Sequence, residues 1–126
     1  MSKSVLLVED EPNIIEAISF LLERDGWTVR IHSDGTSAVE AVGRVAPDVL
    51  VLDVMLPGRS GFEILRDLRR DEALSHLPIL MLTARGQTKD RELAKSYGVS
   101  HFMTKPFSNE EMVSTVRALY AGAQAG

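Results

Sequence analysis

The sequence predicts an α/β fold in which five strands of a mostly parallel sheet alternate with five helices. Three observations carry that prediction. Five short apolar runs (Ser4-Val8, Trp27-His32, Asp48-Leu56, Leu77-Thr83 and Ser100-Thr104) alternate with amphipathic stretches, the order expected of βα units. Runs one, three and four (VLLV, VLVLDVML, PILMLT) are apolar at consecutive positions, as strands covered on both faces are. The stretches between them carry helix start and stop signals.

In chain order, strand one (Ser4-Val8) reads as interior. Helix one has Pro12 in its first turn, Gly26 as C-terminal cap, and Ile14, Ile18, Leu21 and Leu22 as its buried stripe. Strand two, WTVRIH, alternates with Arg30 and His32 and reads as an edge. Helix two covers about Thr36 to Val45, and Pro47 stops it before interior strand three. Ser60 followed by Glu63 is a capping box for helix three, with Phe62, Leu65 and Leu68 inward. After interior strand four comes helix four, about Thr88 to Tyr97, the least apolar of the five, ending at Gly98. Strand five is short and polar at both ends, a second edge. Ser108 and Glu111 form a second capping box, opening helix five with Met112, Val116 and Leu119 inward. The small-residue segment 122–126 reads as a flexible tail that frays.

The chain has 126 residues, enough for one domain (1–121) and that tail. A chain this long buries roughly two thirds of its unfolded surface, so it needs no staple. It has no cysteine, which excludes disulfide scaffolds, thiolate zinc sites and cysteine nucleophiles. Fourteen Lys and Arg against eighteen Asp and Glu leave a net charge of −4, which argues against a basic nucleic-acid surface. No run approaches the roughly 20 apolar residues that span a bilayer, and no signal or lipidation motif precedes the first strand. The expectation is a cytoplasmic, mildly acidic domain with no membrane contact.

In a parallel α/β sheet, function gathers at the carboxyl ends of the strands, where strand order reverses. Strand one ends in Glu9-Asp10, Asp53 lies near the end of run three, strand four ends in Thr83, and strand five in Thr104-Lys105-Pro106. Acidic, acidic, hydroxyl and cationic groups thus fall on one rim. Two like charges about 5 Å apart at an effective dielectric near 20 repel by roughly 3 kcal/mol, so three carboxylates need a cation or raised pKa values. An all-oxygen donor set suits a hard divalent ion such as Mg2+. Glu9, Asp10 and Asp53 against a divalent ion and Lys105 sum to zero, so a phosphoryl donor meets no net negative charge.

Each residue taken alone also has an ordinary structural role. An Asp at a strand end is commonly a turn former or cap, and Glu9, Asp10 and Glu11 place negative charge at the start of helix one. Thr83 reads alone as a strand-end hydroxyl and Lys105-Pro106 as a turn. Their coincidence on one rim favours the site. Other motifs fail: there is no GxxxxGK and no GxGxxG. Gly58-Arg59-Ser60-Gly61 looks like a nucleophile elbow, but Phe62 stands where the second glycine belongs. His32, His76 and His101 lack metal-ligand spacing and read as surface histidines; Met55, Met81 and Met103 read as core filler.

These residues resemble the receiver domain of two-component response regulators, the chemotaxis-regulator-like family, over about Lys3 to Tyr120. The motifs are the acidic pair in LLVEDE, the aspartate in VLDVMLPGRSGFE, the Thr-Ala of LMLTA and the lysine of FMTKPF, with Asp53, Thr83 and Lys105 at the family's intervals. The resemblance implies a doubly wound, flavodoxin-like sheet of order 2-1-3-4-5. It implies that Asp53 takes a phosphoryl group from a sensor histidine kinase or phosphotransfer protein. Asp10 and Asp53, helped by Glu9 and the backbone carbonyl of Met55, would hold Mg2+. Lys105 would stabilise the transferring oxygens, and Thr83 would hydrogen-bond the bound phosphoryl group. Phe102 occupies the switch position and would swing inward when Thr83 moves; it lacks the hydroxyl of the tyrosine common there. Met55 and Arg85 are the family's tuning positions, and an apolar Met55 cannot orient a hydrolytic water, which predicts a long-lived phosphoryl state. Such a domain is not an enzyme beyond catalysing its own phosphorylation and dephosphorylation.

The chain ends soon after helix five, so the expected output is a protein partner docked on the face of the fourth helix, fifth strand and fifth helix (α4-β5-α5), or phosphorelay. Receiver domains of winged-helix regulators pair through that face with an acidic pair and an arginine; here the positions are Ser100-His101 and Thr115. That favours a stand-alone receiver, a monomer or phosphorylation-dependent dimer without direct nucleic-acid binding, over the receiver part of a longer DNA-binding regulator. The rival from another class is a Mg2+-dependent aspartyl-phosphate hydrolase. Its common signature needs a second acid two residues after Asp53, where this chain has Met55. A degenerate receiver is the third reading, although none of the required residues is missing.

Overall fold

A computed structural model describes residues 3–84 and 88–125. The elements run β1 (Ser4–Val8), α1 (Pro12–Arg24), β2 (Thr28–His32), α2 (Ala38–Val45), β3 (Val49–Asp53), α3 (Gly61–Arg70), β4 (Ile79–Thr83), α4 (Thr88–Ser96), β5 (His101–Thr104) and α5 (Asn109–Ala125). All strand pairs are parallel, in the order β2-β1-β3-β4-β5. The expected fold class and both edge assignments are therefore observed.

The consecutive apolar runs are explained by the two sheet faces. Side chains alternate along a strand, so Leu6, Leu50, Leu52 and Met81 pack with Ile64, Leu65 and Leu68 of α3 and Val42 of α2 on one face. Val5, Leu7, Val51, Leu80 and Leu82 pack with Ile18 and Leu22 of α1 and Met112 and Val116 of α5 on the other. Each fully buried Leu or Ile contributes about 1.5–3 kcal/mol. A cation and two rings fasten α5 to α1: Arg117 Nε donates to Asp25 Oδ2 at 2.9 Å, and Trp27 meets Tyr120 edge-on at 5.3 Å.

The punctuation works as read, with refinements. Gly26 (φ +94°) follows the Asp25 C-cap; the Gly26 and Trp27 amides return to the carbonyls of Glu23 and Leu22. The same pair of bonds closes α4 at Gly98, both instances of the Schellman ending. Ser60 Oγ accepts from the Glu63 amide at 3.3 Å and Ser108 Oγ from the Glu111 amide at 3.0 Å. The Glu63 carboxylate lies 3.8 Å from Arg59 Nε. α2 begins at Ala38, two residues later than expected. Helix α5 continues to Ala125, into the segment read as a tail, because alanine has the highest helix propensity.

Run three was expected to reach Leu56, but β3 stops at Asp53. Beyond it the chain turns outward through Gly58 (φ +83°). Met55 is consequently 74% exposed and is not core filler, whereas Met81 and Met103 are. His32 is half-buried and hydrogen-bonds Ser37 Oγ at 2.8 Å, unlike the exposed His76 and His101. No helix among the described residues is long and apolar enough to cross a membrane.

Candidate functional site

Strand order reverses beside β1, so the crevice above β1 and β3 is where ligands bind in such sheets. Glu9, Asp10, Asp53 and Lys105, all expected on this rim, come together there. Glu9 and Asp10 leave the end of β1, and Asp53 is the last residue of β3. One carboxylate oxygen from each lies within 4.8 Å of the others. Glu9 and Asp53 are buried while Asp10 is exposed, making it the member that faces incoming solutes.

Glu9 serves both roles considered for it. Its own amide donates to the His32 carbonyl (3.0 Å), fixing the end of β1 against β2. Oε2 accepts from the Asp10 and Glu11 amides (3.0 and 3.2 Å), a local turn. Oε1 accepts from Lys105 Nζ at 3.0 Å, 96 residues away in sequence. The same Nζ lies 3.2 Å from Asp53 Oδ1. Lys105 is delivered by β5, whose next amide, that of Lys105, donates to the Thr83 carbonyl at 2.7 Å; the following Lys105-Pro106 peptide is cis.

Asp53 has nowhere else to go because of Gly61. A Cβ at Gly61 would stand 2.3 Å from the Asp53 carbonyl oxygen and 2.9 Å from Val54 Cα, so only glycine lets α3 start this close to β3. The Gly61 amide donates to the Val54 carbonyl at 2.8 Å. A second close approach braces the β3-α3 loop. The Gly35 amide donates to the Pro57 carbonyl at 3.0 Å, and a Cβ there would lie 2.4 Å from the Arg59 carbonyl.

Burial pushes the Asp53 carboxyl up to about 6, with the neighbouring Glu9 charge adding to the rise and Lys105 opposing it. Lys105 is itself held above its usual range. Burial acts against its charge, but the Glu9 hydrogen bond and the Asp53 charge prevail. Among the described residues, one cation thus faces three carboxylates. The Lys105 ammonium pairs with Asp53 Oδ1 at 3.2 Å, and this buried oxygen has no further partner among the described residues. Three clustered carboxylates, with an excess of two negative charges over Lys105 among the described residues, are the donor set a hard divalent ion takes. The residues present therefore fit Mg2+.

Thr83 ends β4, is buried, and pairs in register with Thr104. Phe102 pairs with Met81 two steps earlier and is half-buried against the α3-side core. Met55 stands in the loop after Asp53 with its side chain in solvent. Arg85 lies outside the described residues. Two residues that sequence reasoning passed over hold the surroundings of β4 and β5, Arg69 at the amino ends of these strands and Arg91 at the carboxyl end of β5. Arg69 of α3 donates to the Gly98, Ser75 and Leu77 carbonyls (2.8, 3.1 and 2.7 Å) and to Ser100 Oγ (3.2 Å). Arg91 of α4 lies 5.2 Å over the Phe102 ring and donates to Thr104 Oγ1 at 3.1 Å. In the sequence both are merely charged residues on helices, and nothing marks which carbonyl or ring they reach.

A family model of the response regulator receiver domain matches residues 5–117. A probable transcriptional regulatory protein of Mycobacterium tuberculosis, TcrX, is 45% identical over 116 residues, covering 92% of this chain and 49% of that protein. The chain spans about half the length of the curated relatives it matches. A crystal structure of a putative response regulator from Chloroflexus aurantiacus superposes with a TM-score of 0.91 at 30% identity, covering 96% of this chain and 99% of that one. The receiver domain of sensor histidine kinase PA1611 from Pseudomonas aeruginosa superposes at 0.87 and 30% identity, with 96% and 99% covered; its structure has a magnesium ion coordinated in the active site cleft. With nearly the whole fold and sequence matched, the chain belongs to the response regulator receiver domain family.

Proposed function

We propose that Asp53 is the phosphoacceptor of this receiver, and the observation that carries the reading is its environment. It is a buried carboxylate at the end of β3, held between Lys105 and the Glu9-Asp10 pair. An Asp53 oxygen attacks phosphorus of a phosphohistidine protonated at its other ring nitrogen, the P–N bond breaks, and its electron pair leaves with the now neutral imidazole. Asp10, Asp53, Glu9 and the Met55 carbonyl would hold Mg2+, which when bound neutralises charge on the phosphoryl oxygens. Lys105 stabilises the same charge from the β5 side. Thr83 then bonds the phosphoryl group and Phe102 follows inward, so a local charge event biases a two-state equilibrium read out at α4, β5 and α5. The donor is a sensor histidine kinase or phosphotransfer protein, and the chain acts in the cytoplasm.

Intact-mass measurement after incubation with acetyl phosphate and Mg2+ tests this. A phosphoryl adduct on the wild type that is absent from Asp53→Asn supports it. Rapid multiple turnover would instead indicate a hydrolase, and no adduct on either a degenerate receiver. A second reading has one observation in its favour: TcrX is named as a transcriptional regulator, and this chain spans about half of it. On that reading the switch controls transcription through a further segment or partner. Binding of a promoter DNA fragment by the full gene product that strengthens on phosphorylation and is lost in Asp53→Asn would support it.

A further inference from the structure

We propose that Arg91 is a positioning residue for the switch, a latch on α4 that holds Phe102 and Thr104 of β5 in their unmodified arrangement. The inference rests on the phosphoacceptor reading and extends it to a residue outside the phosphorylation site. A cleft of about 430 Å³ separates α4 from β5, lined among others by Arg91, Lys95, Ser100, His101 and Phe102. The inner side of the Phe102 ring packs against the core. The cleft side is covered by the Arg91 guanidinium, 5.2 Å from the ring centroid. The same guanidinium donates to Thr104 Oγ1 at 3.1 Å. One side chain therefore spans the residue expected to swing and the residue in register with Thr83.

The latch matters because α4 has little else holding it. Its single buried residue is Ala94. Its C-terminal end is fixed from α3 by Arg69, through the Gly98 carbonyl and Ser100 Oγ. Arg69 is thus the fixed attachment and Arg91 the releasable one. Phe102 has no hydroxyl to anchor it, so stacking under a cation is the specific contact available to that ring. Drawing the ring inward breaks the stack, and whatever the stack contributes opposes activation. A ligand that favours the activated state then binds more weakly by that factor while the latched state predominates.

The test uses beryllofluoride, a mimic of the aspartyl phosphate, titrated at saturating Mg2+ and read by fluorine NMR of the bound group. Arg91→Ala is expected to tighten beryllofluoride binding about two- to fivefold, the range of an exposed cation–π contact, with Arg91→Lys between it and wild type. In a Phe102→Leu background the Arg91→Ala gain is expected to shrink, since only the Thr104 bond is then left to lose. An unchanged or weakened affinity in Arg91→Ala would overturn the latch, as would an equal gain in both backgrounds. Amide exchange of β5 in the unmodified protein, over the same four variants, measures the coupling without any phosphoryl mimic. Additive effects there would also overturn it. A wild type that binds no beryllofluoride would sink the phosphoacceptor reading separately, whatever the exchange coupling shows.

Discussion

Replacing Asp53 by Asn should make the protein more stable, by an amount set by pH. The wild-type carboxyl is 3% exposed and sits at about 6 instead of 3.8, because burial and then the Glu9 charge disfavour ionisation. Between about pH 4 and 6 the folded state therefore holds a proton that the unfolded chain has released. Its ionisation penalty is absent below that window and complete above it. At about 1.36 kcal/mol per pH unit the penalty reaches about 3 kcal/mol at neutral pH, or roughly 10 °C in Tm for a domain of this size. Asn carries no charge and escapes it, while Lys105 keeps its bond to Glu9. Urea unfolding of both proteins in EDTA at pH 4.5, 6 and 7.5 measures the gap. The gap should widen mostly between pH 4.5 and 6 and level off by pH 7.5. Mg2+ should narrow it, since an ion bound to the native carboxylates stabilises wild type by mass action. A gap below about 1 kcal/mol at pH 7.5, or one that does not change with pH, would refute the reasoning.

Lys105→Met removes the cation between two buried carboxylates. It should cost about 3 kcal/mol at neutral pH and less at pH 4.5, where Asp53 is protonated, as urea titrations would show; labelling by acetyl phosphate should also slow. Gly61→Ala drives a methyl to 2.3 Å from the Asp53 carbonyl oxygen. A loss of about 1–3 kcal/mol should accompany reduced acetyl-phosphate labelling, and wild-type labelling would mean that α3 shifts without moving Asp53. Met55→Asn supplies a polar group in the loop after Asp53 and should shorten the phosphoryl lifetime by intact mass. Loss within seconds in the wild type would contradict the long-lived state expected with methionine there.

Much of the architecture was legible because burial leaves a periodic trace. The runs at Val5-Val8, Val49-Leu52 and Ile79-Leu82 are apolar at every position because helices cover both faces of the sheet, and Gly26 and Gly98 mark helix ends that need positive φ. The rim residues were legible for a similar reason. A strand end is a fixed place in a parallel sheet, so Glu9, Asp10, Asp53, Thr83 and Lys105 could be placed together before any distance was known. Met55 was misjudged because an apolar residue beyond a strand looks like its continuation until the turn at Gly58 carries it into solvent.

Local sequence therefore carries element type, strand position and the chemical character of the rim, since each depends on short-range pattern and on how helices and strands bury their faces. Distances between remote groups it does not carry. Lys105 Nζ reaches both Glu9 and Asp53, Gly61 admits the Asp53 backbone, and Arg91 chooses Phe102. Those facts arise only when packing brings distant segments together. The raised Asp53 pKa arises there too, because desolvation and neighbouring charge are properties of the assembled site and of no single residue in it.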